Sequence, residues 1–186
     1  MLLMIKAEFF IQIIGSAFFL ILNIYLSKEG FSDPEIANFI SYRFLAVMLL
    51  AFPLGFYIKG KRLKPFFIIG SLGVPLVAIS IILSIKHDLH NYLPILFVLW
   101  GCVFTLFQLS SLPYVMRNTV AQNQSHAISL SYATHSFGTI CSGFIIFFSD
   151  QFIQEIDEGS ILLGISIFGF LGVYYLLKMK TDLVMR

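Results

Sequence analysis

Long apolar runs alternate with short polar breaks along the whole chain. The runs fall at 9–26, 36–58, 65–85, 93–115, 127–148 and 161–177, and each is about the length that a helix needs to cross a bilayer. A strand core would need only 4–8 residues per run. The pattern therefore predicts an all-α membrane protein with six transmembrane helices. The breaks are too short for a separate soluble domain, so residues 1–186 read as a single transmembrane domain. The first run exceeds the 7–15 residues of a signal-peptide core, and no small-residue cleavage site precedes Ser27-Lys28-Glu29, so it is expected to stay attached.

Composition narrows the class further. Hydrophobic residues make up 58% of the chain and charged ones 12%, with mean hydropathy +0.89; soluble domains carry about 45–50% and about 25%. Soluble globular, disordered and nucleic-acid-binding readings are excluded. Cys102 and Cys141 lie inside apolar runs and read as packing residues.

The net charge of +2 matters less than its placement. Lys6, Lys59, Lys61, Arg62, Lys64, Arg117, Lys178, Lys180 and Arg186 fall on one side of the six-span topology, with Lys28 and Lys86 on the other. Cytoplasmic loops carry the Lys/Arg excess. Both termini are thus expected in the cytoplasm, and a bacterial inner (plasma) membrane is the expected location. Acidic residues, including Glu29, Asp33, Asp88, Asp150, Glu155 and Asp157, sort to the opposite side.

Polar residues inside the spans carry the functional signal, because unpartnered polar groups are costly in hydrocarbon. The strongly polar ones are Gln12 and Asn23 in the first span, Asn38 and Arg43 in the second, Gln108 in the fourth and His135 in the fifth. The third and sixth offer only serines such as Ser71, Ser80 and Ser166, which can bond their own backbone. Spans 1, 2, 4 and 5 are therefore expected to enclose the interior, with 3 and 6 facing lipid or a partner. Helical spacing sets Gln12, Ser16 and Asn23 on one stripe, Gly101, Thr105, Gln108 and Ser111 on another, and Ser131, His135 and Ser142 on a third.

For Gln12, Asn23, Asn38 and Gln108, cavity lining and simple interhelical hydrogen bonding are equally open readings. Arg43 sits about two turns into its span, while Glu8 and Glu35 are placed at span edges, so no intramembrane carboxylate is expected to pair with it. Arg43 is expected to face an aqueous cavity and meet an anionic group; the alternative is snorkelling to the interface. His135 can titrate or serve as a structural residue.

Catalytic, cofactor and metal signals are missing from the sequence. No nucleophile motif, phosphate-binding glycine loop or intramembrane aspartate pair occurs. His87-Asp88-x-His90 lacks a fourth ligand and reads as a solvated loop. A non-enzyme without cofactor is the expectation.

A weak internal repeat is visible. Gly15 opens a run to Tyr25, followed by Ala37 to Tyr42; Gly101 opens a run to Tyr114, followed by Ala127 to Tyr132. Such pairing of spans 1 and 2 with 4 and 5 suits a three-plus-three inverted repeat.

Three segments carry a family resemblance. Gly30-Phe31-Ser32-Asp33-Pro34-Glu35-Ile36 leads into the second span, and Pro53-Leu54-Gly55-Phe56-Tyr57-Ile58-Lys59-Gly60-Lys61-Arg62 leaves it. Pro113-Tyr114-Val115-Met116-Arg117-Asn118, His126-Ala127 and Ser136-Phe137-Gly138 mark the passage from the fourth span to the fifth. Together these resemble the N-terminal six-helix half of a major facilitator superfamily transporter. The resemblance makes Gly55, Lys59, Gly60, Lys61 and Arg62 the family's loop motif between helices 2 and 3, with Lys59 where the family has Asp. The helix 5 glycine-proline signature of some exporters is reduced to Gly138 and Ser142.

What the resemblance implies is a half-bundle that moves a small solute by alternating access once paired with a second six-helix unit. That unit is either a C-terminal half or a second copy of this chain. Gln12, Asn23, Asn38, Arg43, Gln108 and His135 become substrate-cavity candidates, and Arg43 points to an anionic solute. The alternative readings are a non-transporting membrane scaffold or accessory subunit, and an inactive fragment of a twelve-helix transporter.

Overall fold

The computed structural model describes residues 2–152 and 157–179. Among the described residues the fold is all-helical. It consists of α1 (Leu2–Lys28), α2 (Asp33–Ile58), α3 (Lys64–Lys86), α4 (Leu93–Asn118), α5 (Gln124–Phe152), α6 (Glu158–Phe168) and α7 (Phe170–Leu177). Single 3-10 turns at His90–Tyr92 and Ala121–Asn123 lead into α4 and α5. The basic positions Lys180 and Arg186 and the acidic Glu155 lie outside the described residues.

Local sequence explains the boundaries. Prolines stand in the first turn of α2, α3 and α4, where the missing N–H costs no hydrogen bond. Glu35 reaches back to accept from the Ser32 N–H at 2.9 Å and from its hydroxyl at 2.6 Å, closing the start of α2. Gly30 and Gly60 turn the chain at φ +90° and +74°, a region that disfavours other residues. Pro53, Pro75 and Pro113 lie inside α2, α3 and α4.

Five helical stretches among the described residues are long and apolar enough to cross a membrane: α1, α2, α3, the stretch His90–Asn118 that contains α4, and Glu158–Leu177, which joins α6 to α7. The expectation was six. At 29 residues α5 is the longest helix, but Ser129, Ser131, Thr134, His135, Ser136, Thr139 and Ser142 dilute its apolar character. A second difference concerns the run 161–177, which is two helices meeting at Gly169. A Cβ at Gly169 would lie 2.1 Å from Ile14 Cδ1, so α1 packs directly against the backbone there.

Packing is organised around two helices. The α4 helix packs on α2 and α3, while α1 packs on α5, α6 and α7; α3 closes the bundle against α6 and α7. Aromatic rings fill the interior, with Trp100 stacked on Phe18 at 4.6 Å and Phe97 on Phe39 at 5.4 Å. The buried interior is thus built mainly by α1, α3 and α4. The α2 helix buries only Ile36, Phe39, Ala46 and Ile58 and leaves Phe44, Met48, Phe52 and Phe56 exposed. On α5, Phe137, Phe144 and Phe147 are likewise exposed. The expected division, with helices 1, 2, 4 and 5 enclosing the interior and helix 3 outside, is not what the chain forms by itself: α3 is central, because glycines let α4 approach it closely.

Ion pairs tie the bundle at one end. Lys28 bonds Glu158, and Lys86 lies 3.3 Å from Asp157, joining the ends of α1 and α3 to the start of α6. The Ser160 hydrogen bond, helped by Lys86, holds the Asp157 carboxyl below its ordinary range. A depressed folded-state pKa stabilises above the unfolded value and is lost as pH falls through the folded one. Asp157→Asn should therefore melt slightly below wild type at neutral pH, the gap closing as the pH drops below about 4. Thermal unfolding in mild detergent across pH checks this; a gap that persists in acid would mean the carboxylate charge is not involved.

Candidate functional site

A helix that starts at Leu2 carries Glu8 well inside the bundle. The Glu8 side chain is 0% exposed and sits where α1, α4 and α5 meet. Ser111 of α4 donates its hydroxyl to Glu8 Oε1, and Ser131 of α5 donates to Oε2 at 2.6 Å. Both serines are buried. Each carboxylate oxygen therefore has a donor from a different helix, the arrangement that lets a buried acid persist in an apolar surround.

The polar seam continues along α1 at helical spacing. Gln12 donates to Ser16 at 3.4 Å, and the Ser16 hydroxyl meets that of Thr139 on α5 at 2.8 Å. Ser142 reaches the Ile13 carbonyl at 3.4 Å. Gly138 permits the close approach, since a Cβ there would lie 3.4 Å from Gln12. Two seam atoms are buried without a partner, Gln12 Oε1 and His135 Nε2.

Two small cavities flank Glu8. One, of about 40 Å³, is lined by Glu8, Tyr114, Asn118, Thr119 and Ser131 and lies toward the α4–α5 loop. The other, of about 190 Å³, is lined by Gln108, Ser111, Leu112, Ser131, Tyr132 and His135. Both exceed the 10–15 Å³ that one water requires, and both have polar walls.

Arg43 forms a separate site. Its guanidinium lies 5.4–5.8 Å from the rings of Phe44, Trp100 and Phe104, within cation–π range. A cavity of about 50 Å³ beside it is lined by Asn23, Ile40, Phe18 and Phe97 among others. Neither Arg43 nor Glu8 has an ion-pair partner among the described residues.

The sequence-derived candidates thus divide. Gln12 joins the Glu8 seam, Gln108 and His135 share the larger flanking cavity, and Asn23 joins Arg43. Asn38 is exposed on α2 and lines none of these cavities. Of the loop motif, Gly55 is half-buried while Lys59, Gly60, Lys61 and Arg62 are exposed. Lys61 lies over the Tyr57 ring at 3.1 Å, and its carbonyl accepts from Arg117 at 2.5 Å.

Glu8 was expected at a span edge and is instead the most deeply placed ionisable group in this region. The apolar run begins at Phe9, but the helix begins seven residues earlier. The signal was there: Glu8, Gln12 and Ser16 form one i, i+4, i+8 stripe. Scans against protein-family models, curated proteins and solved structures give no match to this chain.

Proposed function

We propose that the chain is a six-helix half of a secondary transporter of the major facilitator type, moving a small anionic solute by alternating access when paired with a second six-helix unit. The observation that carries this reading is Arg43: a cation within a membrane-length helix, beside a cavity and held by aromatic rings with no carboxylate. An intramembrane cation placed in this way marks a solute path more readily than a structural contact.

Helix neighbourhoods support the three-plus-three inverted repeat. Exchanging α1 with α4, α2 with α5, and α3 with the α6–α7 pair turns the α2–α4 packing into α5–α1 and the α3–α4 packing into α6–α7 on α1. The α3–α6 contact maps onto itself. In this reading α5 is the sixth spanning helix, its polar residues turned toward the solute path. Asn23, Asn38 and Gln108, exposed in the single chain, then face the second unit, as do the apolar faces of α2 and α5. Both termini lie in the cytoplasm, following the Lys/Arg distribution.

The test is mass and uptake on the same preparation. Purified chain in mild detergent is expected to be a dimer by light scattering, and after reconstitution in vesicles to take up at least one anion from a panel of labelled inorganic and carboxylate anions. Arg43→Gln should lower that uptake at least tenfold without changing the mass. A strictly monomeric chain sinks pairing with a second copy. Altered assembly in Arg43→Gln with no uptake by any form points to a scaffold or accessory subunit.

A further inference from the structure

We propose that the groove between α5 and α6 binds one phospholipid, its acyl chain lying against α1 and its headgroup, a phosphate joined to a primary ammonium, seated at Lys86 and Asp157. Lipid binding here is independent of the transporter reading, since it needs only a chain that lies in a bilayer.

The groove follows from how three helices pack. Both α5 and α6 pack on α1, but among the described residues they scarcely meet each other. The space left between them is about 680 Å³ and is open along its side. Ile13 of α1 forms its floor, Ile145 of α5 one wall, and Ile161, Ile165 and Phe168 of α6 the other. Gly164 widens it, because nothing lies within 4 Å of a Cβ there.

Length selects the acyl chain. From Asp157 to Phe168 the α6 wall rises about 17 Å at 1.5 Å per residue, close to half of the roughly 30 Å hydrocarbon core. One end of the groove therefore lies at headgroup level and the other near mid-bilayer. Its polar lining, Ser149, Asp157 and Ser160, is confined to the first end. A polar solute would find no partner along the remaining length, whereas an acyl chain gains dispersion contact with three helices.

Charge selects the headgroup. Lys86 Nζ lies 3.3 Å from Asp157 Oδ2 and donates to Ser160 Oγ at 3.0 Å, so a cation and an anion stand side by side at the mouth. Both stay within reach of a ligand, with side chains 34% and 49% exposed. A phosphate accepts from Lys86 while a primary ammonium donates to Asp157, each bond charge-assisted. An anionic headgroup without an ammonium would set its phosphate against Asp157 unrelieved. A quaternary ammonium carries the charge but has no N–H to donate. Glu158 does not compete for the ammonium, because Lys28 bonds it.

Native mass spectrometry of the delipidated full chain in mild detergent, titrated with phospholipids of identical acyl chains, tests this. Ethanolamine, choline and glycerol headgroups are compared. The wild type is expected to hold one ethanolamine lipid per chain about tenfold tighter than the other two, the worth of one hydrogen bond to a charged group. Gly164→Leu should lose that lipid and keep its fold, because the new side chain enters open space. Asp157→Asn should lose the preference for ethanolamine over choline, which covers a failure of Gly164→Leu to fold. A photoreactive acyl chain should label peptides of α5 and α6. Equal affinity for the three headgroups, a preference that survives Asp157→Asn, unchanged binding in Gly164→Leu, or labelling confined to other helices overturns the proposal. Each of these results leaves uptake through Arg43 untouched, so a failure here and a failure of the transporter reading are told apart.

Discussion

Gly70→Leu is expected to prevent the bundle from assembling, or to lower its stability in detergent by at least about 1–3 kcal/mol, the usual cost of overpacking. A Cβ at Gly70 would lie 2.5 Å from the Phe107 backbone nitrogen and 2.8 Å from its Cα. These are main-chain atoms of α4 and cannot turn aside as a side chain can. On its other flank α4 repeats the device: a Cβ at Gly101 would meet the Arg43 carbonyl oxygen at 2.4 Å and Ala46 Cβ at 2.8 Å. Hence α4 touches the backbone of both neighbours.

In a bilayer such contact carries unusual weight. Lipid tails are as apolar as leucine, so helices associate through close packing and hydrogen bonds rather than by escaping water. Separating α3 from α4 by one side chain forfeits dispersion contacts along the pair, including the Phe67–Phe107 ring contact at 5.3 Å. Gly164→Leu supplies the control, because nothing lies within 4 Å of a Cβ there. Melting midpoint and monodispersity compared across wild type and the two variants decide the matter. Equal stability of Gly70→Leu and Gly164→Leu would mean that α3 and α4 do not meet at Gly70.

The same two glycines show what the sequence made legible. Helix positions followed from hydropathy, since a run of about 20 apolar residues has few alternatives. The polar stripes were readable too, and Ser111 and Ser131 appeared on them before any fold was known. Their partner did not, because a hydropathy window stops at the first charge and so put Glu8 outside the span it belongs to. Nor could periodicity tell which glycine faces a backbone: Gly70 and Gly164 look alike in sequence, yet only one has a neighbour. The centrality of α3 was hidden for the same reason. Polar content identifies helices that need an aqueous or bonded surround, whereas small residues decide which helix the others pack on.

Glu8→Ala is expected to destabilise the chain by about 2–4 kcal/mol, since it strips the acceptor from two buried hydroxyls at about 1–3 kcal/mol each. The sum is reduced where Ser111 or Ser131 can turn back to its own helix. Glu8→Gln should cost less, because its Oε1 still accepts from one serine while its Nε2 can donate to the other oxygen. The decisive comparison removes both sides of the interaction. With Ser111→Ala and Ser131→Ala added to Glu8→Ala, none of the three positions leaves a buried polar side chain unpaired, and the triple variant should recover most of the lost stability. Denaturation in mild detergent of the wild type, single, double and triple forms completes the cycle. Recovery assigns the loss to the α1–α4–α5 hydrogen bonds; a triple variant as unstable as Glu8→Ala alone would show that the carboxylate acts through packing volume instead.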